Sequence, residues 1–129
     1  MVDAFRADPT GARILLSKVD EPEHLRHLGV PVFGTDGRVA HIEEKPEHPA
    51  SEYCVTGIYC YEAGVFEIIG DLVPSGRGEL EITDVNNHFV RLGQMAHDIQ
   101  EGFWGDAGES IEAYYAVNDF VRQSGANLA

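Results

Sequence analysis

Basic residues are scarce in this 129-residue sequence. Lys and Arg number 9 against 22 Asp and Glu, so the net charge is −13. A chain this acidic repels nucleic-acid phosphates and anionic lipid surfaces, which makes nucleic acid and membranes poor partners. No apolar run approaches the roughly 18 residues needed to cross a bilayer, and the opening residues, MVDAFR, are too polar for a signal peptide. We therefore expect a cytoplasmic protein that handles anions, if at all, with a few placed cations.

Cysteine is also rare. Cys54 and Cys60 are six positions apart in a predicted strand, a span of about 20 Å, whereas the Cα atoms of a disulfide lie at most about 7 Å apart. The two therefore cannot bridge to each other, and two buried thiols in a reducing cytoplasm are the simplest interpretation. Together with His24 and His27 they make no convincing zinc pattern.

Hydrophobic residues make up 43% of the chain, which is typical of a globular protein, and the pattern of predicted elements indicates a mixed α/β fold. Alternating apolar residues predict strands, and apolar residues at helical spacing predict helices. The predicted strands are 12–19, 29–33, 38–45, 53–61 and 95–100, with a hairpin turn at 34–37. The predicted helices are 2–7, 62–73, 81–92 and 110–121, whereas 20–27 is interpreted as a polar loop.

Each predicted element also has an expected core face. In strand 53–61 the period of two places Val55 and Tyr59 on one face and Cys54 on the other. The three longer helices are expected to bury apolar stripes: Val65, Phe66, Ile69, Leu72 and Val73 in the first; Ile82, Val85, Phe89 and Leu92 in the second; Ile111, Tyr114, Val117 and Val121, with Asn118, in the third.

Three segments carry groups suited to binding phosphate, hydroxyls or a metal. Glu44 and Lys45 end a strand, either as ordinary solvated charges or as ligands for a hydroxyl and a phosphate. Arg77 lies between two glycines before a helix, either as a flexible surface side chain or as an anion ligand. Asp106 also lies near glycines before a helix, where it could cap that helix or help to hold Mg²⁺.

Four motifs occur in a familiar order. They are EEKP at 43–46, SEYCVTGIY at 51–59, RGELEITDVN at 77–86 and GFWGDAG at 102–108. In these motifs the chain resembles the C-terminal half of the glucose-1-phosphate thymidylyltransferases, members of the sugar-nucleotidyltransferase superfamily. The resemblance covers nearly all 129 residues and implies one partial domain, 1–129. It implies a mixed sheet with flanking helices, the C-terminal part of a Rossmann-like nucleotide-diphospho-sugar transferase fold.

The family joins a nucleoside triphosphate to a sugar 1-phosphate, with Mg²⁺ as cofactor, and releases pyrophosphate. By resemblance, Lys45 and Arg77 are the expected catalytic residues, because they would contact the sugar phosphate. The other implied sugar ligands are Glu44 through the hydroxyls, Gly29 through its backbone, and Val55 and Tyr59 through the pocket wall. Asp106 matches a magnesium ligand. Strict alternation, however, would place Glu44 and Lys45 on opposite faces of their strand.

Nothing in the sequence matches the family's GxGTRLxPxT-type triphosphate loop, its catalytic lysine or its GDN-type metal carboxylate. We therefore expect a sugar-phosphate half-site that is inactive alone and takes a nucleoside triphosphate only when an N-terminal half is supplied. The alternative is a non-catalytic sugar-phosphate-binding or interaction module. A cut through the core would also leave apolar surface exposed, which favours homo-oligomers.

Overall fold

A computed structural model of the protein describes residues 1–76 and 78–125. Its helices are α1 (Val2–Ala7), α2 (Pro22–Leu25), α3 (Val65–Gly70), α4 (Ile82–Arg91) and α5 (Ile111–Ser124). Its strands are β1 (Ala12–Lys18), β2 (Gly29–Phe33), β3 (Val39–Glu44), β4 (Tyr53–Tyr61) and β5 (Met95–Ile99). The five predicted strands are confirmed to within a residue at each end. No helix in the described ranges is long and apolar enough to cross a membrane.

The strands form two sheets. In the larger sheet β1 is central, antiparallel to β4 and parallel to β5. The smaller sheet is the predicted hairpin of β2 and β3, in which Gly29 lies opposite Glu44. The predicted mixed sheet with flanking helices is therefore confirmed.

The main core lies between the larger sheet, β3 and the helices α3 and α4. Its buried members include Ile14 and Leu16 on β1 and Phe89 on α4, each 0% exposed. A smaller cluster of Leu25, Val30 and Cys54 lies on the other side of β4. Both faces of β4 are therefore in contact with core, although Ile58 near its middle remains 49% exposed.

The interpretation of residues 20–27 as a loop is wrong, because this segment contains the short helix α2. Pro22 is its first residue, a position where the missing N–H has no intrahelical partner to lose. Leu25 at the end of this helix is 2% exposed and anchors the smaller core cluster.

Helix α3 is shorter than predicted and presents a different face. The Glu62 carboxylate accepts the Gly11 N–H at 2.7 Å, and Gly64 is the N-cap, so the helix begins at Val65. From that start, Val65 is buried while Ile68 and Leu72 pack against the core. The predicted members Phe66, Ile69 and Val73 are instead exposed, at 77%, 41% and 78%.

The predicted stripes on α4 and α5 are also only partly correct. In α4, Val85 and Phe89 are buried as predicted, but Thr83 and Asn86 join them while Ile82 and Leu92 are exposed. Thr83 donates a hydrogen bond to the Glu44 carboxylate, and Asn86 Oδ1 accepts one from the Tyr61 hydroxyl, although the buried Asn86 Nδ2 has no partner among the described residues. In α5 no residue is buried.

Helix α5 is held mainly through the loop that precedes it. The rings of Phe103 and Phe120 stack with centroids 4.0 Å apart. A Cβ atom added at Gly105 would lie 2.9 Å from a Val117 methyl group, so only glycine allows this close approach. The contact brings the loop containing Asp106 against the helix.

Candidate functional site

Glu44 ends β3 in a half-buried position, and its carboxylate is held by α4. The Thr83 hydroxyl, on a residue only 6% exposed, donates a hydrogen bond of 2.5 Å to Glu44 Oε2. Gly29 lies directly opposite, and a Cβ there would be 3.5 Å from the same oxygen. The interpretation of Glu44 as an ordinary solvated strand end is therefore wrong: this carboxylate is oriented.

Lys45 follows immediately but has left the strand. Its φ is +49°, the only positive φ among the described non-glycine residues, and its side chain is exposed. Its backbone N–H donates to the Leu28 carbonyl at 3.0 Å. Because β3 ends at Glu44, strict alternation does not govern where the Lys45 side chain points. The sequence-level conflict between Glu44 and Lys45 is therefore removed.

Glu44 and Lys45 line a cavity of about 310 Å³ at the junction of β3 and α4. The remaining described lining comes from the segment before α4 and from its first turn: Ser75, Gly76, Glu81, Thr83 and Asp84. Arg77, predicted to share a phosphate with Lys45, lies outside the described residues, so that pairing stays a prediction.

A neighbouring cavity of about 250 Å³ brings Val55, Tyr59 and Asp106 together. Its other described lining residues are Leu28, Thr56, Gly57, Trp104, Gly105 and Ala107. Val55 and Tyr59 share a face as predicted, although β4 is irregular between them: Val55 lies opposite Leu16 and Tyr59 opposite Ile14. Between these two pairs β4 advances four residues while β1 advances two, so β4 contains two extra residues that form a bulge. Because the number of extra residues is even, Val55 and Tyr59 stay on the same face. Gly57, with a φ of +82°, lies within this bulge.

Electrostatics connects the two cavities. The pKa of the Tyr59 phenol is raised, chiefly because the side chain is largely buried and further because the Glu44 carboxylate is negative. The Lys45–Leu28 backbone hydrogen bond also joins a residue of the first cavity to a residue of the second. Among the predicted site residues, Glu44, Lys45, Gly29, Val55, Tyr59 and Asp106 therefore lie around one surface region.

Asp106 is exposed, and its Oδ1 accepts the Gly108 N–H at 2.8 Å. The interpretation of Asp106 as the cap of the last helix is wrong, because Ser110 is the N-cap and its hydroxyl accepts the Ala113 N–H at 3.0 Å. No group of three or more His, Cys, Asp or Glu side chains suited to a metal occurs within residues 1–76 and 78–125. Asp106 therefore fits a Mg²⁺ only as a single carboxylate ligand, with phosphate and water completing the shell.

Sequence reasoning missed Thr83 and Trp104. Thr83 falls inside the RGELEITDVN motif, but its contact with Glu44 joins residues 39 positions apart, which no local pattern reveals. Trp104 lines the second cavity and is half-buried. The single tryptophan of the chain, next to a glycine and a carboxylate, was the available signal.

Comparison with known proteins identifies the protein family to which this fold and site belong. The family model for nucleotidyl transferases matches residues 1–124, so the chain belongs to the nucleotidyl transferase family.

Within this family, the chain is similar to several glucose-1-phosphate thymidylyltransferases. A Streptomyces griseus glucose-1-phosphate thymidylyltransferase is 36% identical over 124 residues, which is 95% of this chain and 34% of the relative. One from an Actinoplanes species is 45% identical over 73% of this chain and 31% of the relative. A solved Bacillus anthracis structure assigned to the same activity, in complex with a sucrose, superposes with a TM-score of 0.83 and 39% identity over 99% of this chain.

The matches cover most of this chain but only a third to a half of each relative. The chain spans about a third of the length of these two curated relatives and 49% of the solved chain. A UDP-glucose pyrophosphorylase complexed with UDP-glucose, 22% identical with a TM-score of 0.80, shares the fold over 95% of this chain. The family and the fold are therefore shown, and the activity of the whole relatives enters only as a proposal.

Proposed function

We propose that this chain is the sugar-phosphate-binding part of a glucose-1-phosphate thymidylyltransferase. The observation that carries the proposal is the oriented Glu44 carboxylate, held by Thr83 beside the bare backbone of Gly29 and directly before Lys45. A fixed carboxylate accepts hydrogen bonds from sugar hydroxyls, and an adjacent ammonium attracts a phosphate. The two groups together suit a phosphorylated sugar.

The proposed roles follow from position. Glu44 accepts from sugar hydroxyls, and Gly29 leaves room for the ring to approach the backbone. Lys45 and Arg77 neutralise the sugar phosphate, while Val55 and Tyr59 form the wall of the pocket. A Cβ added at Gly29 would lie 3.5 Å from the Glu44 carboxylate and 3.6 Å from the Thr83 hydroxyl, which are ordinary contact distances, so the proposed role of glycine here is only the space that it leaves for the sugar ring.

In the reaction we propose, a nucleoside triphosphate is bound by N-terminal segments that the four motifs do not include. The sugar-phosphate oxygen attacks the α-phosphorus, and pyrophosphate leaves. The contribution of this chain is to hold and orient the attacking phosphate, which is the dominant form of catalysis in phosphoryl chemistry. Asp106 would be one ligand of a Mg²⁺ that offsets phosphate charge. We place this reaction in the cytoplasm, and we propose that residues 1–129 alone bind the sugar phosphate without transferring a nucleotide.

Calorimetric titration tests the binding step. Glucose 1-phosphate is compared with glucose and with inorganic phosphate, and Glu44→Gln is compared with its matched control Glu43→Gln. Glu43 pairs with His41 at 3.2 Å and has no role in the proposed site. We expect the wild-type chain to prefer glucose 1-phosphate over phosphate, and only Glu44→Gln to remove that preference. Equal loss in both variants, or no binding of glucose 1-phosphate, would refute the proposal.

A second assay tests whether residues 1–129 bind the sugar phosphate without transferring a nucleotide. The chain is incubated with glucose 1-phosphate, dTTP and Mg²⁺, and pyrophosphate release is measured. We expect no turnover within the range of about 1 to 1,000 per second that is typical of enzymes. Turnover in that range would show that residues 1–129 also bind and activate the triphosphate.

A further inference from the structure

Asn87, on α4, binds both backbone polar groups of one residue in β3. Its Oδ1 accepts the Ile42 N–H at 2.7 Å, and its Nδ2 donates to the Ile42 carbonyl at 2.8 Å. A side-chain amide that bonds an N–H and a C=O of the same residue reproduces the pairing that a neighbouring strand would offer. Asn87 therefore serves as a one-residue partner for the edge of β3.

The need for this partner follows from the hairpin register. Ile42 lies opposite Pro31 of β2, and because its N–H and C=O both bond to Asn87, these two groups point away from β2 and out of the hairpin. Within residues 1–76 and 78–125 the β2–β3 sheet has two strands, so no third strand in that part of the chain pairs with the outer edge of β3. Without Asn87, the N–H and C=O that Ile42 directs toward α4 would lose their protein partners.

The same helix holds Glu44 by a second contact. Thr83 and Asn87 are four residues apart on α4, and their partners Glu44 and Ile42 are two residues apart on β3. Four helical residues rise about 6.0 Å, and two strand residues rise about 6.6 Å. Because these lengths agree within about 1 Å, both contacts can be made at once. The end of β3 is therefore fixed to α4 at two points.

We propose that Asn87 is a positioning residue for the sugar site: it acts through Ile42 to set where the Glu44 carboxylate lies relative to Thr83 and Lys45. This inference rests on the proposed function of Glu44. It extends that function to a residue which lines neither cavity and which therefore acts on the ligand only through the strand.

The test uses the full chain and two variants, Asn87→Leu and Asn87→Ala, with Arg91→Gln on the exposed end of the same helix as the control. Urea unfolding and circular dichroism establish that each variant is folded. Affinities for glucose 1-phosphate and for inorganic phosphate are then measured separately. Exchange of the Ile42 amide hydrogen reports directly whether its hydrogen bond is lost.

We expect Ile42 exchange to accelerate in both Asn87 variants and glucose 1-phosphate to bind roughly 2- to 10-fold more weakly, the equivalent of one ordinary hydrogen bond. Affinity for inorganic phosphate should change by less than about twofold, because Lys45 acts on it without Glu44. In the Glu44→Gln background, Asn87→Leu should cause no further loss of sugar preference.

Four results would overturn the inference, and the last of them would also refute the proposed function. Equal weakening of both ligands would indicate a general structural role, and unchanged binding of glucose 1-phosphate with accelerated Ile42 exchange would show that the contact does not reach Glu44. Additive losses in the double variant would show that Asn87 acts independently of Glu44. A wild-type chain that binds neither ligand would refute the proposed function itself, and the inference with it.

Discussion

Lys45 combines an unfavourable backbone conformation with a proposed ligand role, and substitution can separate the two. The left-handed region costs a residue with a Cβ roughly 1–2 kcal/mol, whereas glycine enters it freely. Glycine also loses about 0.5–1 kcal/mol more than other residues through the entropy of its unfolded state. For Lys45→Gly, with φ at +49°, we therefore expect a net gain of up to about 1.5 kcal/mol in the free energy of unfolding.

The same substitution removes the ammonium group. A hydrogen bond to a charged group contributes about 1.5–3 kcal/mol, so the loss corresponds to roughly a 10- to 150-fold rise in the Kd for glucose 1-phosphate. Because Lys45 is exposed, we expect the lower part of that range. Lys45→Gly should thus be more stable and bind more weakly, which is the pattern of a strained functional residue.

Urea unfolding and calorimetric titration measure the two quantities on the same samples. Lys45→Ala is the control, since it removes the ammonium but keeps a Cβ in the left-handed conformation. It should bind as weakly as Lys45→Gly without becoming more stable. A Lys45→Gly variant that gains stability but binds glucose 1-phosphate as tightly as the wild type would refute the role of the ammonium. Loss of stability would refute the strain.

Three further predictions concern the core, a thiol and the surface. Phe89→Ala removes a ring that is 0% exposed and should lower the free energy of unfolding by about 3–5 kcal/mol; a loss below about 1 kcal/mol in urea would contradict the packing of α4. Burial raises the pKa of Cys54 to about 11 from its usual 9.0, so the stability that the protonated thiol contributes is fully present below pH 9 and is lost as the pH rises through 11. Cys54→Val should therefore flatten the pH dependence of the free energy of unfolding between pH 9 and 11. An unchanged slope in that range would contradict the burial of the thiol. Phe66 is 77% exposed on α3 and should promote association between copies of the chain. Phe66→Ser should therefore lower the average mass measured by light scattering. Identical masses for the two proteins would show that Phe66 takes no part in association.

The sequence was informative wherever the structure depends on neighbours along the chain. Alternation predicted the five strands, and the Gly-rich turn before Arg38 predicted the hairpin. The prediction that Val55 and Tyr59 share a face was correct even though β4 is bulged, because the bulge inserts two residues and preserves parity. An insertion of one residue would have placed them on opposite faces.

The predictions were wrong where contacts between residues distant in the sequence determine the local structure. The start of α3 depends on the Glu62 carboxylate reaching Gly11, 51 positions away. The burial of Thr83 depends on Glu44, which made a polar residue part of the core face of α4. The backbone turn at Lys45 removed an apparent conflict that strict alternation had raised. These contacts follow from tertiary packing, which a period of two or of 3.6 does not contain.

We propose that the two neighbouring cavities form one site for glucose 1-phosphate, and a titration with this ligand followed by ¹H–¹⁵N NMR shows whether they do. We predict that the backbone amides of Gly29, Lys45, Tyr59 and Ala107 shift together and saturate with a single Kd, while amides along α3 do not move. Shifts centred away from these residues, or separate saturation of the Lys45 and Tyr59 signals, would contradict the claim.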